Sequence, residues 1–574
     1  MQTTRYITQA LRTEGLDHVF LVPGGLIDPF LAALSETDGL TPMVAAHEAG
    51  AAFMADGYAR ASGRFGACFG IGGPGVTNMI TAMAAARTDS SPILLVTGQV
   101  PTDWEGRGGF QDSSPAALND VAMLEPVCVR SMAVESVHLV HHHLRACLTR
   151  MLAPLQGPVH MSVPLDIQKG EVHIPWTPLP ECLRRPRFLD LHGLDLLRGI
   201  LSPDQGPPPV NIVILAGAGV DKSGAHADLI RLAEAYAIPV ATTLRAKGVF
   251  PEDHPLSLGV FGYAGHRPAI EAILSGEVDV LLVLGSGLGQ RDTMYWSRRM
   301  LPKIALAHVD SDPTAIGRTW PTEAPVIGDC GEALRALLAE PDRLRALTQT
   351  APKRKAWTEA VLAVGPRTYG PENIDSRAVP IHPARVVAEL RRAMPRDGAL
   401  VVDSGAHRAF CGHYWESYGP GTYFSATNVG PMGWAVPAAV GVKAARPDRP
   451  VAVVTGDGCM LMHGMEIQTA ARYGLAVVFV VINNSALGNV WFRAREQGPG
   501  PAGLTEIPNH DWVRLARALG LEARRVDRPE QLAPTFEAAL ASGRPFLVDC
   551  LCDKAFETPV TPFAQAKMEW VDED

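Results

Sequence analysis

One stretch constrains the fold of this chain more than any other: residues 451–489, VAVVTGDGCMLMHGMEIQTAARYGLAVVFVVINNSALGN. An apolar, β-branched run from Val451 to Thr455 breaks at Gly456-Asp457-Gly458. A helical pattern follows through Met465, Glu466 and Ala470, and a second apolar run, Val477 to Ile482, ends at Asn483-Asn484. Strand, crossover helix and second strand make a βαβ unit, so the strands are parallel. The polar residues stand at the carboxyl ends of those strands, where open parallel sheets bind ligands. Asp457 and Asn484 are oxygen donors, and a loop carbonyl after Asn484 could add a third. Such a set suits a hard cation such as Mg2+, which keeps few protein ligands and fills its octahedron with phosphate oxygens. Gly456 and Gly458 let the backbone approach a phosphate, and the N–H groups of the next helix favour the anion.

A lone GDG turn is more often an N-cap than a ligand site. Here GDG is followed by the 25 residues from Cys459 to Asn483 and then by the second Asn. That pattern resembles the diphosphate-binding motif of thiamine diphosphate (ThDP) enzymes, in which the Asp and the second Asn hold Mg2+. The resemblance implies Asp457, Asn484 and the Ala486 carbonyl as metal ligands. It implies Gly458, Cys459, Leu487 and Gly488 as cofactor contacts.

Around that unit the chain reads as three α/β blocks. Each has strands alternating with helices, so the expected fold is three doubly wound parallel-sheet domains. The boundaries expected are 1–170, 190–340 and 375–553, with a tail at 554–574. The first block has strands at His18–Val22, Phe65–Phe69, Ile93–Thr97 and within 157–166. The second has Val210–Leu215, Pro239–Thr243, Val278–Leu284 and Ile304–Val309. Pro-rich, polar stretches at 167–190 and 341–381 read as linkers. Both outer blocks open with helix, strand and small-residue turn, a hint of duplication.

Composition excludes several functions. A net charge of −9 over 574 residues, with no basic stripe, argues against nucleic acid. No apolar run reaches membrane-spanning length, and the N-terminus lacks the apolar core of a signal peptide. Nine scattered cysteines without a CxxC pair fit a reducing cytoplasm. His138, His141, His142 and His143 share a helical stretch and read as a solvated face rather than a metal site. Gly70-Ile71-Gly72-Gly73-Pro74-Gly75 has the form GxGxxG, yet Pro74 removes an N–H that a pyrophosphate would use, and no acidic residue follows at a second strand end. A nicotinamide dehydrogenase is therefore disfavoured.

AHEAGAAFMADGYAR (46–60) and GIGGPGVTNMITAMAAA (70–86) resemble the pyrimidine-binding domain of acetohydroxyacid (acetolactate) synthases. The resemblance implies that Glu48 bonds the cofactor's pyrimidine nitrogen and so helps remove its reactive proton, with Pro74 and Asn78 beside the ring. Such a carboxyl group needs an apolar wall, for which the Ala, Phe and Met residues near Glu48 are the candidates. It further implies Gln111 facing the reacting centre, Gly405-Ala406-His407 receiving the diphosphate, the Gly430 carbonyl accepting from the aminopyrimidine, and Met432 bending the cofactor from beneath. Glu48, Gln111 and His407 are thus the expected catalytic residues. Family members are at least dimers, here a homodimer or homotetramer, in which Glu48 and Asp457 of one site come from different subunits. FAD, which some synthases retain, would lie near Gly217, Gly219 and Arg291, and the sequence leaves it open.

The substrate is the least defined part. The synthases carry Gln-Trp after the NN loop, whereas here Phe492-Arg493 stand there and Asn489 replaces an apolar residue. With Gly25 and Trp491 these line the expected substrate pocket, and an Arg there suits an acidic group. Carboligation of a 2-keto acid in the manner of acetolactate synthase is the first expectation. A decarboxylase, a 2-hydroxyacyl-CoA lyase and a cyclic 1,2-dione hydrolase are the alternatives within the family, and a non-catalytic nucleotide sensor outside it. The tail could close over the site as a lid.

Overall fold

The computed structural model describes residues 1–572, so residues 573 and 574 of the expected tail lie outside it. Three six-stranded, all-parallel sheets follow one another along the chain. In spatial order the first comprises Thr41–Val44, His18–Leu21, Gly66–Ile71, Ile93–Gln99, Val159–Pro164 and Arg130–Ala133. The second comprises Ala324–Ile327, Ala305–Asp310, Val280–Leu284, Ile212–Ala216, Val240–Thr242 and Ser257–Val260. The third comprises Tyr423–Ser425, Ala399–Val402, Val451–Gly456, Val477–Asn483, Phe546–Leu551 and Glu522–Val526. Numbered along its own stretch of chain, each outer sheet runs 2-1-3-4-6-5, and the middle one runs 3-2-1-4-5-6. The shared order of the outer sheets matches the similar way their sequences begin.

The third sheet is the layer around which the other two are assembled. Val453, Phe479 and Val481 face one core, shared with Phe53 and Met54 of the first unit. Their neighbours Ala452, Val454 and Val480 face another, shared with Val213 and Tyr263 of the middle unit. Successive strand residues point to opposite faces, so a strand buried on both reads as an unbroken apolar run. The GDG…NN stretch is such a pair, in register from Val451 opposite Val477 to Gly456 opposite Ile482.

The first and third units meet through helices Glu48–Ser62 and Ala435–Ala445. Each contributes a glycine at the crossing: a Cβ on Gly57 would stand 2.0 Å from the Ala438 carbonyl oxygen, and one on Gly441 would stand 1.9 Å from that of Met54. Only glycine permits backbones to approach so closely.

Residues 341–381 depart from the linker expectation, because Arg345–Leu362 forms an 18-residue helix. Its buried stripe is Leu347, Thr350, Arg354 and Thr358, mostly polar, so apolar periodicity does not reveal it. Arg354 is fully buried and donates to the Val210 and Tyr236 carbonyls and to Thr350 Oγ1. All nine cysteines are unpaired and only Cys182 is exposed. Among the described residues no helix is long and apolar enough to cross a membrane.

Candidate active site

Three adjacent strands of the third sheet end at one cavity of about 250 Å³. Ala399–Val402 delivers the Gly405-Ala406-His407 turn, Val451–Gly456 delivers Asp457, and Val477–Asn483 delivers Asn484 and the loop to Gly488. Helices Ala406–Tyr414 and Gly488–Arg495 start at the cavity wall, so their free N–H groups favour an anion there. Met432, Gly458, Cys459, Ala486 and Leu487 line the same space. A Cβ on Gly458 would fall 2.7 Å from Leu487 and 3.2 Å from Met432, so a side chain there would fill the floor.

The two asparagines divide their work. Asn483, still in the strand, turns its amide into the sheet and donates to Asp549 Oδ1 at 2.9 Å. Asn484 faces the cavity, and its Oδ1 accepts from the Ala486 N–H at 3.2 Å. Asp457 accepts from the N–H groups of Gly458 and Asn484 at 2.8 and 3.2 Å. Burial nevertheless raises its carboxyl to about 6, against the pull of backbone N–H groups from residues 458 and 484–486. A buried oxygen-only set that is short of positive charge fits a hard cation. Ser485 holds a positive φ of 54°, which turns this loop.

His407 is 5% exposed, and burial with the nearby Arg408 lowers its ring to about 3. It is neutral at ordinary pH, and its buried Nε2 has no hydrogen-bond partner among the described residues. An unsatisfied polar atom aimed at glycine turns is what a diphosphate oxygen would complete. Gly430 lies behind this wall, near Arg408 and Ser404, rather than on the cavity.

Sequence reasoning missed Asp403. Its buried carboxylate accepts from Ser404 N–H at 2.8 Å, Gly433 N–H at 2.9 Å and Thr455 Oγ1 at 3.0 Å. It ties the turn carrying Met432 to the strand carrying Asp457. Its place at the end of ALVVD was a usable signal. Arg291 from the middle unit, and Lys554 and Phe556 from the tail, also line the cavity. Beyond that wall, helix Thr561–Asp572 docks on the middle unit, with the Phe563 ring 5.3 Å from Tyr263.

A second cluster stands at the carboxyl ends of the first sheet. Glu48 opens its helix behind His47, whose Nδ1 accepts from Ala49 N–H. Asn78 Nδ2 donates to Glu48 Oε2 at 2.9 Å, and Pro74 opens the helix that carries Asn78. Gln111 holds a positive φ of 61° beside Gly73, and Gly25 begins the turn after His18–Leu21. The apolar residues next to Glu48 are spent elsewhere: Ala52, Phe53 and Met54 face helix Ala435–Ala445 and its core. Glu48 itself is half-buried, so its own helix does not supply the expected wall.

The two clusters do not share a cavity within one chain. No residue before Arg291 lines the space around Asp457. Of the expected substrate residues, Asn489, Phe492 and Arg493 line it, and Gly25 and Trp491 do not. The two units are nonetheless locked together by Glu466, whose carboxylate accepts from the N–H groups of Ala46 and His47 at 3.1 and 3.0 Å. His141 Nδ1 pairs with the Tyr6 hydroxyl at 2.6 Å, and among the described residues the histidines of 138–143 form no group placed to hold a metal.

Three family profiles match the chain. A thiamine pyrophosphate enzyme N-terminal TPP binding domain covers residues 1–119, the central domain of such enzymes 210–337, and their C-terminal TPP binding domain 403–550. The chain is 33% identical to a Methanocaldococcus jannaschii protein named "Probable acetolactate synthase large subunit", over 98% of this chain and 94% of that one. It is 31% identical to the acetolactate synthase large subunit of Corynebacterium glutamicum, over 96% and 86%. It is 32% identical to that of Parasynechococcus marenigrum, over 95% and 86%.

Proposed function

The chain belongs to the ThDP enzymes of acetolactate synthase type, and we propose that it joins two 2-keto acids at their carbonyl carbons with loss of CO2. The donor's bond between carboxyl and carbonyl carbon breaks, and CO2 leaves. That carbonyl carbon bonds to the acceptor's carbonyl carbon, whose oxygen takes up a proton. Two pyruvate anions and one proton thus become acetolactate and CO2. Bound ThDP supplies the nucleophile for the donor carbonyl and the sink for the electron pair that CO2 leaves behind.

The observation that carries this reading is the convergence of Asp457, Asn484 and the Ala486 loop with the Gly405–His407 turn on one cavity. Asp457, Asn484 and the Ala486 carbonyl hold Mg2+, and His407 donates from its neutral ring to a diphosphate oxygen. Met432 supports the cofactor from below, held by Asp403 through Gly433. Pro74 and Asn78 flank the pyrimidine, with Asn78 orienting the Glu48 carboxyl, which holds a proton at the pyrimidine nitrogen. Gln111 orients the reacting carbonyl. Residues 1–170 serve as the pyrimidine-binding domain, 190–340 as the central domain and 375–553 as the diphosphate-binding domain.

The site is completed by a second copy of the chain, Glu48 coming from one and Asp457 from the other. The separation of the two clusters supports this, as do the exposed Leu461, Met462 and Met465 beside Asp457 and the exposed Phe110 beside Gln111. The test is product analysis with pyruvate, ThDP and Mg2+. Acetolactate with CO2 is expected. Acetaldehyde with CO2 would make the protein a decarboxylase, and an inert pyruvate would remove the carboligase reading.

A further inference from the structure

The cavity contains a cation that the reading above does not use. Helix Gly488–Arg495 begins at the diphosphate turns, and Arg493 stands five residues further on, about 7.5 Å along the axis. The other cations around it are committed. Lys554 pairs with Glu506, Arg495 pairs with Glu557 at 3.7 Å and stacks on Phe492 at 4.3 Å, and Arg291 stacks on Tyr263 at 4.5 Å. Arg493 is exposed to the cavity and, among the described residues, makes no ion pair, side-chain hydrogen bond or ring contact. Of the two carboxylates on the cavity wall, Asp457 belongs to the cation end and Asp553 accepts from the Ala555 N–H at 2.8 Å. Neither carboxylate forms an ion pair with Arg493 among the described residues.

The surroundings define what it would bind. Val490, Phe492 and Phe556 give the same cavity an apolar lining. That combination fits a short methylene stem ending in an acid group, which the guanidinium fork grips through two parallel N–H bonds. We infer that Arg493 selects a 2-keto acid acceptor whose side chain ends in a second acid group, a carboxylate or a sulfonate. The inference rests on the carboligase reading and gives that site its substrate class. The acceptor's own keto-acid carboxylate stays at the reacting end, and the second acid lies against Arg493.

Two measurements on the ThDP–Mg2+ holoenzyme test this, using Arg493→Met and Arg493→Lys. The first compares kcat/KM for 2-oxoglutarate and 2-oxobutyrate as acceptors with pyruvate as donor. The native enzyme should favour 2-oxoglutarate by roughly tenfold or more, the scale of a charge-assisted hydrogen bond. Arg493→Met should bring the ratio to about one or below, and Arg493→Lys, which keeps charge without the fork, should fall between. The second needs no turnover: calorimetry with succinate, 3-sulfopropionate and butyrate. One of the two diacids should bind more tightly than butyrate, the tighter one naming the acid, and Arg493→Met should erase the difference. An unchanged ratio in Arg493→Met, or weaker ThDP binding without loss of discrimination, overturns the proposal. Diacid preference that depends on Arg493, with no product from any keto acid pair, would fail the carboligase reading and leave the acid-binding site standing.

Discussion

At the scale of single residues, position within a strand decides which of two identical side chains reaches the cavity. Asn483 and Asn484 are neighbours, yet the alternation of a strand sends the first to Asp549 and the second to the cavity. Asp457→Ala should abolish Mg2+-dependent ThDP binding in calorimetry, and undiminished affinity would remove Asp457 from the metal site. Glu48→Gln should slow turnover by roughly 10²–10⁴, the range for a residue that manages a proton. It should leave ThDP affinity largely intact, and near-native turnover would take Glu48 out of the reaction. The residues that sequence alone missed share one cause. Asp403 acts through Gly433, 30 positions away, and Glu466 through Ala46, 420 positions away. The GDG…NN spacing was legible because its parts lie within one βαβ unit, whereas these partners meet only in the folded chain.

At the scale of elements, inner strands were legible and edge strands were not. Each sheet has four inner strands, buried on both faces and readable as apolar runs. The edges are short or half-exposed, as in Thr41–Val44, Arg130–Ala133 and Ala324–Ile327. Close helix crossings are equally invisible beforehand. Gly441→Ala should cost about 1–3 kcal/mol, because its Cβ would meet the Met54 carbonyl and the backbones must separate. Urea unfolding measures this, and an unchanged midpoint would mean that the crossing is looser than described. His413 joins three elements: its Nε2 accepts from Tyr369 N–H at 2.8 Å, and its Nδ1 faces the Ala264 carbonyl at 3.4 Å. Burial lowers this ring to about 4. The unfolded ring titrates near 6.5, so between pH 6.5 and 4 the unfolded state binds the extra proton and stability falls with pH. In unfolding measured across that window, His413→Gln should show a shallower fall than the native chain by up to about 1.4 kcal/mol per pH unit. Identical slopes would mean that the ring is free to protonate in the fold.

At the scale of the whole molecule, two sheets of the same strand order carry complementary halves of one chemistry. Under the proposed function the third sheet, with Asp457, Asn484 and His407 on its cavity, would gather the cation and diphosphate ligands, and the first gathers Glu48, Asn78 and Gln111. Within one chain, Gly57, Gly441 and Glu466 lock the two units together without merging their clusters. A two-fold partner solves the geometry, since each copy can offer its first cluster to the other's third and complete two sites at once. The most direct measurement is therefore complementation: co-express Glu48→Gln and Asp457→Ala chains and assay CO2 release from pyruvate. Each variant alone has no intact site, but a mixed dimer has one, so random pairing should restore about a quarter of native turnover. If the mixture forms mixed dimers and stays as inactive as its parents, the two clusters do not act across subunits, and the account of a shared active site is wrong.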